Sequence, residues 1–90
     1  MATRKITFSP QASKEYQEWL GTDSKIAKKV FELIVECTHS PFIGKGAPEA
    51  LKHDFSGYWS RRINKKDRLV YRVTDAEVFV LSCLGHYGDK

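Results

Sequence analysis

Apolar residues recur along this chain first with the 3.6-residue period of helices and then with the two-residue period of strands. Ile6, Thr7 and Phe8 read as a short opening strand. Ser9 and Pro10 look like a helix start. Ser9 can accept a hydrogen bond at the N-cap, and Pro10 takes the first helical position, where its missing N–H costs nothing. Ala12, Tyr16, Trp19 and Leu20 then fall on one helical face, and Gly21 is placed to end the helix. Thr22 or Asp23 can cap a second helix, whose apolar stripe is Ile26, Val30, Leu33, Ile34 and Cys37. Lys25, Lys28, Lys29, Glu32 and Glu36 lie on its other side, and Pro41 ends it. Pro41, Gly44, Gly46 and Pro48 crowd the next stretch, which predicts a loop over 41–48.

From Glu49 onward the pattern becomes that of strands, expected over 51–55, 58–63, 68–73 and 78–84 with turns between them. Within 68–73, Leu69, Tyr71 and Val73 share one face and Arg68, Val70 and Arg72 the other. The run over 78–84 is apolar almost without break, as in a central strand buried on both faces. Leu69, Tyr71, Val73, Phe79 and Leu81 are therefore expected in the core. Burying Ile63 together with Leu69 needs an odd offset across the turn at 64–67, most simply a β-bulge beside Arg68. The fold class is α+β: two N-terminal helices packed on one face of a twisted antiparallel sheet of four or five strands. The other sheet face stays polar and open, so function is to be sought there. Ninety residues make a single domain, 1–90. A chain this short buries only about 60–65% of its unfolded surface, which leaves a partner something to add.

Charge sharpens this picture. Lysine and arginine number 15 against 11 acidic residues, a formal net charge of +4. The excess gathers on the expected sheet: Arg68 and Arg72 on the open face, Arg61, Arg62, Lys65 and Lys66 around the neighbouring hairpin, and Lys45, Lys52 and His53 beside the earlier strand. Tyr58, Trp59, Tyr71 and Tyr87 are interleaved with them, a composition suited to single-stranded RNA through phosphate contacts and base stacking. A solvated hairpin of ordinary surface cations is the competing reading, but seven Lys or Arg between positions 52 and 72, against two Asp, favour RNA. Cys37 and Cys83 sit in apolar runs with no metal-ligand spacing and read as reduced core thiols. No phosphate-binding glycine loop and no metal-binding spacing is present, so neither cofactor nor metal is expected. The first residues lack the apolar stretch of a signal peptide, and no run approaches the ~20 residues of a membrane span. A cytoplasmic location without membrane contact is expected.

Glu49 precedes the sheet strands of the second half, and His86 follows the last of them. Cleavage of RNA by its own 2′-hydroxyl needs a base, an acid and a cation for the charge gathering on phosphorus oxygens. A carboxylate, an imidazole and an arginine fill those roles. Taken alone, a loop carboxylate and a histidine near the chain end are more often idle. Their setting changes that weighting. The stretch Pro41-Phe42-Ile43-Gly44-Lys45-Gly46-Ala47-Pro48-Glu49-Ala50-Leu51-Lys52-His53 resembles the P-F-x-G-x-G-x-P-E-x-L-K-H signature of YoeB-type toxins in the RelE superfamily. The similarity runs on through Ser56 to Ile63 and Arg68 to Tyr71, closes on His86-Tyr87, and reaches back to Thr22-Asp23 and Lys28-Lys29.

That resemblance implies a RelE-like fold and a ribosome-dependent endoribonuclease that cuts messenger RNA in the ribosomal A site. It implies Glu49 as general base, Arg68 as the arginine stabilising the transition-state phosphate, and His86 as general acid. Lys52, His53, Arg62 and Tyr87 match positions that hold or position substrate. It also implies a cognate antitoxin protein that wraps the toxin and covers or displaces the histidine. A homodimer of the free toxin is left open. Two departures stand out: Leu84 lies where the family often carries an arginine, and Gly85 replaces a larger residue, leaving His86 more freedom. The alternative of another class is a non-catalytic RNA- or protein-binding toxin on the same scaffold. Retention of Glu49 and His86 argues against it.

Overall fold

The computed structural model describes residues 4–85. Strand β1 spans Lys5–Phe8, helix α1 Pro10–Thr22 and helix α2 Ser24–Cys37. Four strands follow: β2 (Glu49–Ala50), β3 (Trp59–Arg62), β4 (Arg68–Val73) and β5 (Glu77–Ser82), with a 3-10 turn at His53–Phe55. The capping expected of Ser9 is present, its Oγ accepting from Ala12 N–H at 2.9 Å. Gly21 does not end α1. The helix runs one residue further, and Asp23 serves both helices, its N–H donating to the Trp19 carbonyl and its carboxylate accepting from Ile26 N–H. Helix α2 likewise stops at Cys37, four residues before Pro41, with Thr38 at its C-cap.

The sheet order is β1-β5-β4-β3-β2. Strands β2 to β5 pair antiparallel, and β1 adds to the β5 edge in parallel, so the sheet is mixed. The chain path allows a parallel neighbour: α1 and α2 lie between β1 and the rest, and such a crossover can return the chain in either sense. Both helices cover one face. Ala12, Val30, Leu33, Ile34 and Cys37 meet Ile63, Leu69, Tyr71, Val78, Val80 and Cys83 in one core. Cys37 and Cys83 are free, buried thiols; burial pushes them up to about 11 and about 12, so neither is a thiolate near neutrality.

Three expectations of register are corrected. The stretch 51–55 is not a strand: only Glu49 and Ala50 pair with β3, and the chain then tightens into the 3-10 turn. At the β3–β4 hairpin, Ile63 N–H donates to the Asp67 carbonyl, so residues 64–66 alone make the connection. This odd-length loop, rather than a bulge beside Arg68, puts Ile63 and Leu69 on one face. The register shift lies instead between β4 and β5. Val70 faces Ser82 and Tyr71 faces Val80, which makes Leu81 the extra residue. Finally, the core parity of β5 is Val78 and Val80. Phe79 and Leu81, expected inside, are only partly buried, as is Val73 at the end of β4.

Candidate active site

Strand pairing places Glu49 opposite Ser60, Ser60 opposite Val70, and Val70 opposite Ser82. Directly opposed residues share a face, so these four form one row across the sheet face that the helices leave uncovered. Ser60 and Val70 are buried and make its floor. Glu49 stands exposed at the β2 end of the row. Arg62 and Arg68 oppose each other two residues along from Ser60 and Val70, and therefore flank the floor on the same face. Arg72 flanks it on the other side, its guanidinium stacked 4.9 Å from the Phe79 ring and 5.5 Å from the Tyr58 ring. Glu49 and Arg68 are two strands and two residues apart. Ordinary strand spacings put their Cα atoms roughly 12 Å from each other, a gap that a phosphodiester between two extended side chains would fill.

The Arg68 side chain is anchored at the hairpin turn. Its Nη1 donates to the carbonyl oxygens of Asn64 (3.1 Å) and Asp67 (3.3 Å). Its backbone N–H donates to the Gly85 carbonyl at 2.9 Å. The end of the described chain is pinned beside it by four further groups. Glu15 accepts from Cys83 N–H, Trp19 Nε1 donates to the Cys83 carbonyl, Cys83 Sγ meets the Ala12 carbonyl, and Asp67 Oδ1 accepts from Gly85 N–H at 2.7 Å. Asp67 Oδ2 is buried with no hydrogen-bond partner among the described residues. Gly85 has φ +81°, a left-handed conformation that a side chain would strain. With both its amide and its carbonyl bonded, this glycine is a fixed turn rather than a loose link. His86 and Tyr87 lie outside the described residues.

Lys52 and His53 follow β2 and are exposed; His53 opens the 3-10 turn at φ +58°. Ala47 has φ +51°. Two non-glycine residues in the left-handed region thus bracket Glu49, each held there at a conformational cost.

One residue given a surface role by the sequence is inside, and it is joined there by Tyr71, which is buried as its strand alternation predicts. Arg61, expected among the hairpin cations, is fully buried, because β3 alternation sets it on the core face with Trp59 and Ile63. All five of its N–H donors are used. Nε donates to Tyr71 Oη, Nη1 to Glu36 and the Lys45 carbonyl, and Nη2 to the Ser40 and Ile43 carbonyls. Tyr71 in turn donates to the Pro41 carbonyl at 2.6 Å. Arg61 therefore gathers the 40–46 loop that leads to Glu49. Gly44 fits the same centre: a Cβ there would collide with Glu36 Oε1. The hydrogen bond from Arg61 holds the Glu36 carboxyl below the usual carboxylate range. Burial pushes the Tyr71 phenol up and keeps it neutral. Neither Tyr71, which is buried, nor Trp59, which packs on Phe42 at 4.7 Å between centroids, is a stacking platform for bases. The alternation of β3 could have flagged Arg61, since Arg61 and Arg62 cannot share a face.

Among the described residues, no helix is long and apolar enough to cross a membrane. A family model for the YoeB-like toxin of bacterial type II toxin-antitoxin systems matches residues 8–87. The chain is similar to Toxin YoeB of Escherichia coli strain K12, 47% identical over 83 residues that cover 92% of this chain and 99% of the relative. Two solved structures from Staphylococcus aureus share its fold at 44% identity, each covering 96% of this chain and 100% of the neighbour. One is a YoeB dimer, with TM-score 0.88, and the other a heterotetrameric YoeB–YefM toxin–antitoxin complex, with TM-score 0.85. The chain belongs to the YoeB-like toxins of bacterial type II toxin–antitoxin systems.

Proposed function

We propose that this toxin is a ribosome-dependent endoribonuclease that cleaves messenger RNA by acid–base catalysis, with Glu49 as base, Arg68 as phosphate stabiliser and His86 as acid. The observation that carries the reading is the shared face. Glu49 and Arg68 stand around one floor of buried side chains, Ser60 and Val70, and the residue that precedes His86 is hydrogen-bonded to the Arg68 backbone. In the reaction, Glu49 takes the proton of the 2′-hydroxyl, and the 2′-oxygen attacks phosphorus. The bond to the 5′-oxygen breaks, and His86 protonates that oxygen as it leaves. Arg68 meets the charge that builds on the non-bridging oxygens. These three groups fill every role in the step, so no metal is called for. Arg62 on the same face, and Lys52 and His53, exposed just after β2, are assigned to substrate phosphates, with Tyr87 assigned to positioning.

A cognate antitoxin is proposed as the partner that holds the toxin inactive, by analogy with the YefM partner of the S. aureus protein. A homodimer is proposed for the free toxin on the same footing. The test is to induce the toxin in cells and map the 5′ ends of messenger RNA fragments. Wild type should generate new ends within coding regions, and His86→Gln should remove them while the protein still binds its antitoxin. New ends that persist at wild-type levels in His86→Gln would remove histidine from the mechanism.

A further inference from the structure

Lysines of α2 that play no part in this chemistry form one wall of a second charged feature. A groove of about 690 Å³ lies between α2 and the β3–β4 turn, floored by Leu33, Gly46 and Ile63. Among the described residues six cations line it, Lys25, Lys28 and Lys29 on the helix side and Lys45, Arg62 and Lys65 opposite, against the one carboxylate of Glu32. All six side chains are exposed, and none is in an ion pair: among the described residues the salt bridge found is Arg61–Glu36. Even Lys28 and Glu32, one helical turn apart, do not pair. A concave surface lined by one sign of charge focuses its field and concentrates counter-ions of the other sign.

We infer that this groove holds the phosphodiester backbone of the messenger strand flanking the cleaved bond. The inference rests on the nuclease reading for the identity of the strand, but its evidence is separate. Two residues join groove and cleft. Arg62 lines the groove and also opposes Arg68 across the β3–β4 pair, while Asn64 lines the groove and its carbonyl oxygen accepts from Arg68 Nη1. A strand with one phosphate at Arg68 therefore has a continuous cationic path into the groove. Among the described residues no aromatic side chain lines the groove, so bases find none of these there to stack on. The contacts are to phosphates and carry no sequence preference. An acidic segment of the antitoxin is the competing occupant, but it has no need of continuity with Arg68.

The experiment measures binding without cleavage, using two RNA oligonucleotides with a 2′-deoxy substitution at the scissile position. One is just long enough for the cleft; the other extends past it. The variants are Lys28→Ala/Lys29→Ala and the charge-keeping Lys28→Arg/Lys29→Arg. Each lost phosphate contact lowers the log–log salt slope by about 0.7, so two contacts lower it by about 1.4 and weaken binding roughly fifteenfold near 0.15 M salt. That loss is expected for the extended oligonucleotide with the alanine variant, with little change for the short one and near wild-type binding for the arginine variant. Equal affinities and equal slopes for wild type and alanine variant on the extended RNA would overturn the inference. Lost affinity for an acidic antitoxin peptide, with RNA binding intact, would assign the groove to protein instead. Because nothing is cut, the groove stands or falls independently of the roles given to Glu49 and His86.

Discussion

Arg68→Ala is expected to lower messenger RNA cleavage by about a hundredfold or more while leaving the fold and antitoxin binding in place. The magnitude is that of removing one donor aimed at charge developing in a transition state. The selectivity comes from how Arg68 is built into the sheet. Its structural work is done by the backbone, which pairs with Arg62 and donates to the Gly85 carbonyl, and alanine keeps both. The side-chain bonds to the Asn64 and Asp67 carbonyls lie at the rim, where a net hydrogen bond contributes about 1 kcal/mol. Arg68→Lys should restore part of the activity, since it returns the charge without the planar fork that grips two phosphate oxygens. The check is single-turnover cleavage on programmed ribosomes alongside the unfolding midpoint. A large loss of stability with Arg68→Ala, or unchanged cleavage, would contradict the role.

Arg61→Ala is expected to have the opposite signature: a loss of about 3–5 kcal/mol in stability, with activity falling only because the protein unfolds or the 40–46 loop loosens. Truncation removes the partner of Glu36 and leaves the Ser40, Ile43 and Lys45 carbonyls short of a donor in a site that Arg61 occupied without exposure. Arg61→Lys should recover little, because an ammonium cannot reach five acceptors arranged around a planar fork. Denaturant unfolding at constant m-value measures this, and a cost under about 1 kcal/mol would contradict it. The same pair gives a pH dependence. Arg61 lowers the folded-state pKa of Glu36, so the stabilisation is complete above the ordinary carboxylate range and is lost as pH falls through the lowered value. Glu36→Gln should flatten that acid limb.

Much of this architecture was legible in the residues, and the failures have physical causes. Helix period and capping chemistry located α1 and α2, because Ser9, Pro10 and Asp23 act through local geometry. The parallel docking of β1 on β5 was not legible, since no local pattern tells a crossover which way to return. In β5 the apolar run Val78 to Leu81 fits either parity. Only the register against β4, with its extra residue at Leu81, decides that Val78 and Val80 face the helices. Arg61 was misjudged through its charge: buried arginines are rare, and what makes this one tolerable is a set of acceptors from a loop far away in sequence. Around the candidate site, strand alternation correctly set Arg68 and Arg72 on the open face. It said nothing of Glu49, whose place depends on a two-residue strand where 51–55 had looked extended. At Gly85 the sequence did not reveal that its amide and carbonyl are both engaged and that its φ is one that glycine adopts without strain.

The central claim is that the RNA's own 2′-hydroxyl attacks the phosphate, with Glu49 as base and His86 as acid. The chemistry of the product ends tests it most directly. Cleaved messenger RNA should be isolated from programmed ribosomes and its termini identified by mass spectrometry. Attack by the 2′-oxygen with protonation of the departing 5′-oxygen predicts a 2′,3′-cyclic phosphate on the upstream fragment and a 5′-hydroxyl on the downstream one. A 3′-hydroxyl paired with a 5′-phosphate would mean that water, not the ribose, is the nucleophile, and would contradict the roles given to Glu49 and His86.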